Sequence, residues 1–140
     1  MKKLINVAMI YMIAALVAGV FYREFTKLNQ FTGKTTLSIV HTHLFILGVF
    51  IFLILALFIQ NNQDILESPL FKKFFIVYNI ALPFFVIMLM TRGIIQVLNI
   101  PLSTSTNAMI SGIAGISHIL LTISFALFFM VLRKKSIQAE

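Results

Sequence analysis

The residues placed to do chemistry in this sequence are His41, His43, Arg92 and His118, because each sits inside a run of apolar residues. Neutral imidazole is a good ligand for iron, zinc and copper. His41 and His43 are two positions apart, about 200° around an α-helix, so they point to opposite sides and cannot hold the same metal ion. Each would serve a different site. Phe45, Gly48 and Phe52 follow His41 at helical spacing, and Gly48 is expected to leave a groove where a flat ring presses against the backbone. Leu47 and Phe50 follow His43 as an apolar wall.

The chain has no cysteine, which excludes disulfides, thiolate zinc sites, iron–sulfur clusters and thioether-attached heme. Zinc prefers four converging ligands, usually with Cys or carboxylate among them, and the only carboxylate near the histidines is Glu24. Heme b needs one or two axial imidazoles and an apolar slot, which suits these surroundings better. Arg92, Gln96 and Asn99 form a polar stripe toward one membrane surface that could receive propionates; equally, Arg92 pairs with Glu24 or snorkels outward, and both can hold together. Ser111, Gly115, His118 and Thr122 make a second stripe, with Gly112 beside it. Small residues there permit close approach of another helix, and His118 acts either near the iron or as a hydrogen-bonding contact between helices.

The elements that must carry these residues follow from composition. Of 140 residues, 60% are hydrophobic and 11% charged, against about 25% charged in soluble domains. This is the composition of an integral membrane protein. Apolar stretches at 4–22, 37–59, 74–98 and 110–132 predict an all-α bundle of four spans, each long enough to cross a bilayer. The connections are short and polar, so residues 1–140 read as a single domain. The first stretch resembles a secretory signal, but Val17-Ala18-Gly19 is a mediocre cleavage site and the segment is read as a retained helix.

Lys2, Lys3, Lys72, Lys73, Arg133, Lys134 and Lys135 fall on one side, with Arg23, Lys27 and Lys34 on the other. This bias predicts cytoplasmic termini and explains the formal charge of +7 without nucleic acid. Counting from the helix ends, His41 lies about 6 Å deep, His43 and Arg92 about 9 Å and His118 about 12 Å. All fall in the outer half of a core about 30 Å thick. Pro83 predicts a kink in the third span.

Val40-His41-Thr42-His43, followed by Leu44-Phe45-Ile46-Leu47-Gly48, resembles the His-x-His helix of the heme–copper oxidase catalytic subunit, whose two histidines face hemes on opposite sides. The whole chain, with Phe21-Tyr22-Arg23-Glu24-Phe25 and Ser111-Gly112-Ile113-Ala114-Gly115-Ile116-Ser117-His118, looks like a family of short four-span bacterial membrane proteins of unassigned function. The oxidase subunit is built as three arcs of four helices with heme ligands on the second helix of an arc. The resemblance therefore implies a twelve-helix homotrimer of this chain. In such a ring His41 of one copy would face His43 of the next across a shared slot, giving one heme per chain. The oxidases' His-Pro-Glu-Val-Tyr copper motif is absent here, so no complete heme–copper site is expected.

The resulting expectation is a membrane heme b-binding protein, cytochrome b-like, with His41 and His43 as metal ligands and His118, Arg92 and Gly48 contacting the cofactor. Two axial imidazoles would suit electron transfer with a redox partner or quinol, and one would suit binding of oxygen or nitric oxide. The alternatives are a small metal-ion or solute transporter with a His/Arg path, or a non-catalytic accessory subunit. The inner half of every span lacks the polar residues that would continue such a path.

Overall fold

A computed structural model describes residues 1–60 and 62–138. Helix α1 covers Lys2–Leu28, α2 Leu37–Ile59, α3 Pro69–Val97 and α4 Thr104–Gln138. All four are long and apolar enough to cross a membrane. A 3-10 turn, Gln63–Glu67, leads into α3, where Ser68 Oγ accepts from the Phe71 amide and Pro69 opens the helix without losing a needed donor. The Oγ of Ser103 accepts from the Thr106 amide at the start of α4. The helices extend past the apolar stretches because hydropathy marks only the hydrocarbon layer, while backbone hydrogen bonding continues into the polar turns beyond it. Arg23, Glu24 and Lys27 thereby belong to α1 instead of a loop.

Short connections make sequential neighbours antiparallel partners, and here they do little else. The packing runs α1 on α2, α2 on α3 and α3 on α4, with no extensive contact between α1 and α4 among the described residues. The chain is an open arc with α1 and α4 at its ends. Toward the end that carries the chain termini, the arc is tied by aromatic packing. Tyr78 and Phe74 on α3 are fully buried. Tyr78 stands edge-on to Phe52 of α2 and to Phe125 of α4, with both ring centroids at 5.6 Å. On the other side of α2, Tyr11 of α1 stacks on Phe52 and donates its hydroxyl to Asn79 Oδ1 on α3 at 3.1 Å.

Two features set the depth and rotation of α2. At its start, Thr35 Oγ1 donates to the Gly93 carbonyl (3.0 Å) and Thr36 Oγ1 to the Leu89 carbonyl (2.7 Å), while the Thr36 amide donates to Gln96 Oε1 (2.8 Å). The unpaired groups that every helix start presents are thus used to stitch α2 to α3. Farther along, Leu44–Phe50 forms a π-helical segment between α-helical turns. Its i→i+5 bonding takes more residues per turn and frees the Leu47 carbonyl to accept from the Tyr78 hydroxyl at 2.8 Å. Tyr78→Phe should cost on the order of 1 kcal/mol, the scale of an interhelical hydrogen bond in a membrane, read as a lowered midpoint of denaturation in SDS. Unchanged stability would mean that the Leu47 carbonyl finds another donor.

The π segment also revises one sequence expectation. Gly48 opens no groove for a flat ring: a Cβ placed there would lie 2.6 Å from Cβ and Cγ of Tyr11, so the space already belongs to that side chain. A rotation of 100° per residue holds from His41 to His43 but not across the wider turns to Gly48. Despite Pro83, α3 continues unbroken from Pro69 to Val97.

Candidate functional site

His43 and His118 meet on a shared aromatic residue. His43 projects from α2 with its ring centroid 5.5 Å from that of Phe85, and His118 projects from α4, edge-on to the same ring at 4.7 Å. Because α3 lies between α2 and α4 in the arc, its Phe85 collects an imidazole from each flank. Both histidines are held alike. The Nδ1 of His43 is 2.7 Å from the carbonyl of Ile39, and Nδ1 of His118 is 2.8 Å from that of Ala114.

A carbonyl only accepts, so in each neutral ring Nδ1 carries the hydrogen and Nε2 keeps its lone pair. Metal-ligating histidines are typically held in this way, with the second nitrogen donating to a carbonyl or carboxylate. His43 is half-buried and His118 exposed, which leaves room for a ligand at these rings.

His41 has a different environment. It faces α1, where a Cβ placed on Gly19 would lie 3.7 Å from its own Cβ. Its Nδ1 is buried without a hydrogen-bond partner. The pair that the structure brings together is therefore His43 with His118, while His41 stands alone on the opposite flank of α2. Sequence reasoning missed Phe85 altogether, since one Phe among 15 carries no signal until the helices are placed.

Arg92 reaches from α3 onto α4. Its Nη1 donates to Asn107 Oδ1 at 2.6 Å and its Nη2 to Ser111 Oγ at 2.7 Å. The expected pairing with Glu24 does not form within the chain. Glu24 instead lies 3.7 Å from the Nε of its neighbour Arg23, and no carboxylate of the described residues pairs with Arg92. Nor do Arg92, Gln96 and Asn99 act as one stripe: Gln96 is committed to the Thr36 amide, and Asn99 lies beyond the helix at a φ of 49°. Replacing Arg92 by Ala should loosen the α3–α4 pairing by about 1.5–2 kcal/mol, the lower range for hydrogen bonds to a charged group. Lys should restore only part of this, since a point charge lacks the planar fork that spans two acceptors. The check is SDS denaturation of the three proteins side by side.

Among the described residues no group of three or more His, Cys, Asp or Glu side chains converges on a point. A four-ligand zinc-type site lacks its donors. Heme iron asks less of the protein, since one or two imidazoles suffice, and two with free Nε2 atoms flank an apolar ring here.

These features define an all-helical protein with four potential membrane spans and two imidazoles gathered on one aromatic ring, each bonded through Nδ1 to a carbonyl of its own helix. The chain belongs to a family of proteins of unknown function, DUF2871, which matches residues 1–135. No curated protein and no solved structure matches it.

Proposed function

We propose that this protein is a membrane heme b-binding protein in which His43 and His118 would hold the iron through Nε2, serving electron transfer or the binding of oxygen or nitric oxide. The observation that carries the reading is the pair of Nδ1–H bonds to the Ile39 and Ala114 carbonyls. Each holds its ring in the tautomer that ligates, with the lone pair left on Nε2. Heme bound there would supply a one-electron iron centre, closed to gases when both imidazoles bind and open when one does. Phe85 and the flanking helices would keep water from that centre.

The same reading places the chain in the bacterial cytoplasmic membrane with both termini on the cytoplasmic side, as a homotrimer. The C-terminal marker Glu140 lies outside the described residues; reporter fusions at both ends test the topology. A transport role is less well supported, because the terminal half of the arc is filled by Phe52, Phe74, Tyr78, Phe125 and Phe128, all buried or half-buried.

The direct test is the visible spectrum of protein purified from heme-replete cells and then titrated with hemin. A Soret band at a fixed ratio of heme to chain is expected. A protein that stays colourless under both conditions would refute the heme reading and leave an accessory or transport role.

A further inference from the structure

The two ends of the arc each carry a face that no other described residue covers. On α4 the exposed residues Asn107, Ser111, Gly115, His118 and Thr122 form one row, with the Arg92 guanidinium laid across its first two members. A Cβ placed on Gly112 or Gly115 would meet nothing within 4 Å. Ionisable and polar side chains at hydrocarbon depth are costly unless something polar covers them. On α1 the exposed row Met9, Ile13, Leu16, Val20 and Glu24 is apolar along its length and ends in a carboxylate.

The two rows are in register. Gly19 of α1 is level with His41 of α2, since they touch, and Thr36 is level with the Leu89–Gly93 turn of α3, to which it and Thr35 bond. Glu24 is as far along α1 from Gly19 as Thr36 is along antiparallel α2 from His41. Glu24 therefore lies at the depth of Arg92, at the opposite end of the arc. The same count sets Val20 at the depth of Gly115 and Val17 at that of His118, using the contacts of His43 and His118 with Phe85.

We infer that copies of this chain associate head to tail, α1 of one copy seated on the Asn107–Thr122 row of α4 of the next, so that Glu24 faces the Arg92 guanidinium across the interface. Val20 then packs over Gly115, where the missing side chain leaves room, and the apolar row of α1 shields the His118 row from lipid. The carboxylate supplies the counter-charge that Arg92 lacks among the described residues of its own chain. A two-fold axis set at either face alone would pair α4 with α4 or α1 with α1, setting like charges together, whereas a closed ring of copies matches every Glu24 with an Arg92. This specifies the interface of the oligomer proposed above and is independent of heme.

Because the chain has no cysteine, the interface can be read by cross-linking. Val20→Cys and Gly115→Cys, carried on differently tagged chains, are coexpressed and oxidised in membranes with copper–phenanthroline. Both positions are open in the single chain, so neither substitution disturbs its packing. The mixed Val20–Gly115 dimer should exceed either like–like dimer at least tenfold, and Glu24→Cys with Ser111→Cys should behave in the same way. Adding Glu24→Gln to the Val20→Cys chain should lower the mixed product several-fold. Predominance of like–like dimers, absence of any cross-link from both pairs, or an unchanged yield with Glu24→Gln would each overturn the proposal. Loss of the Soret band would refute the heme reading without touching these products.

Discussion

Replacing both His43 and His118 with Ala should leave the purified protein without a Soret band, while His41→Ala should keep it. The physical basis is the contrast between the three rings. His43 and His118 each spend Nδ1–H on a carbonyl one turn earlier, so the lone pair of Nε2 is free without rearrangement. His41 has a buried Nδ1 with no partner. To ligate through Nε2 it would have to leave an N–H unsatisfied in an apolar setting, at a cost of about 1–3 kcal/mol. Single replacements should separate the two roles. Either one alone should leave some heme on the remaining imidazole and open a coordination position, seen as a low-spin to high-spin shift and new carbon monoxide binding. Far-ultraviolet circular dichroism should stay unchanged, because each ring hydrogen-bonds only a carbonyl of its own helix and its loss leaves the backbone bonds of that helix in place. A double variant with the full Soret band would sink the assignment, and loss of heme from His41→Ala alone would move the ligand to the α1 flank.

The second large effect is expected at Gly93, where α2 begins its contact with α3. A Cβ at this position would stand 2.7 Å from the backbone nitrogen of Leu37 and 2.6 Å from its Cγ. The leucine side chain can turn aside, but the backbone nitrogen cannot. It is held in place because Thr35, Thr36 and Gln96 fasten the same segment through hydrogen bonds of 2.7–3.0 Å. Gly93→Ala should therefore destabilise the fold by about 1–3 kcal/mol, the range for overpacking a filled contact, although Ala is the better helix former. Gly112→Ala is the matched control, with nothing within 4 Å of its added carbon. SDS denaturation should show a marked drop in midpoint for Gly93→Ala only. Because the displaced segment carries His43, heme retention should also fall. Equal midpoints for Gly93→Ala and the parent protein would show that the α2–α3 junction is looser than these distances imply.

Much of the architecture is local and could be read from the chain alone. Four long apolar stretches separated by polar turns require four spanning helices, because lipid offers no partner for an unpaired backbone group. The opposed directions of His41 and His43 follow from 200° of regular helix, and in the folded chain one faces Gly19 of α1 and the other Phe85 of α3. The helix ends were less legible, because Arg23, Glu24 and Lys27 continue α1 beyond the apolar run that announces it. Other features depend on which helices become neighbours and how each is rotated. Periodicity within one helix carries no such information. Tyr11 fills the space at Gly48, and a π segment turns α2 out of the simple count between them. His118 joins His43 only because α3 lies between their helices and presents Phe85. Arg92 turns to Asn107 and Ser111 on α4, while Glu24 lies at the far end of the arc, at equal depth but beyond reach. Hydropathy and helical period specify depth and direction within a helix; packing between helices alone specifies which side chains share a site.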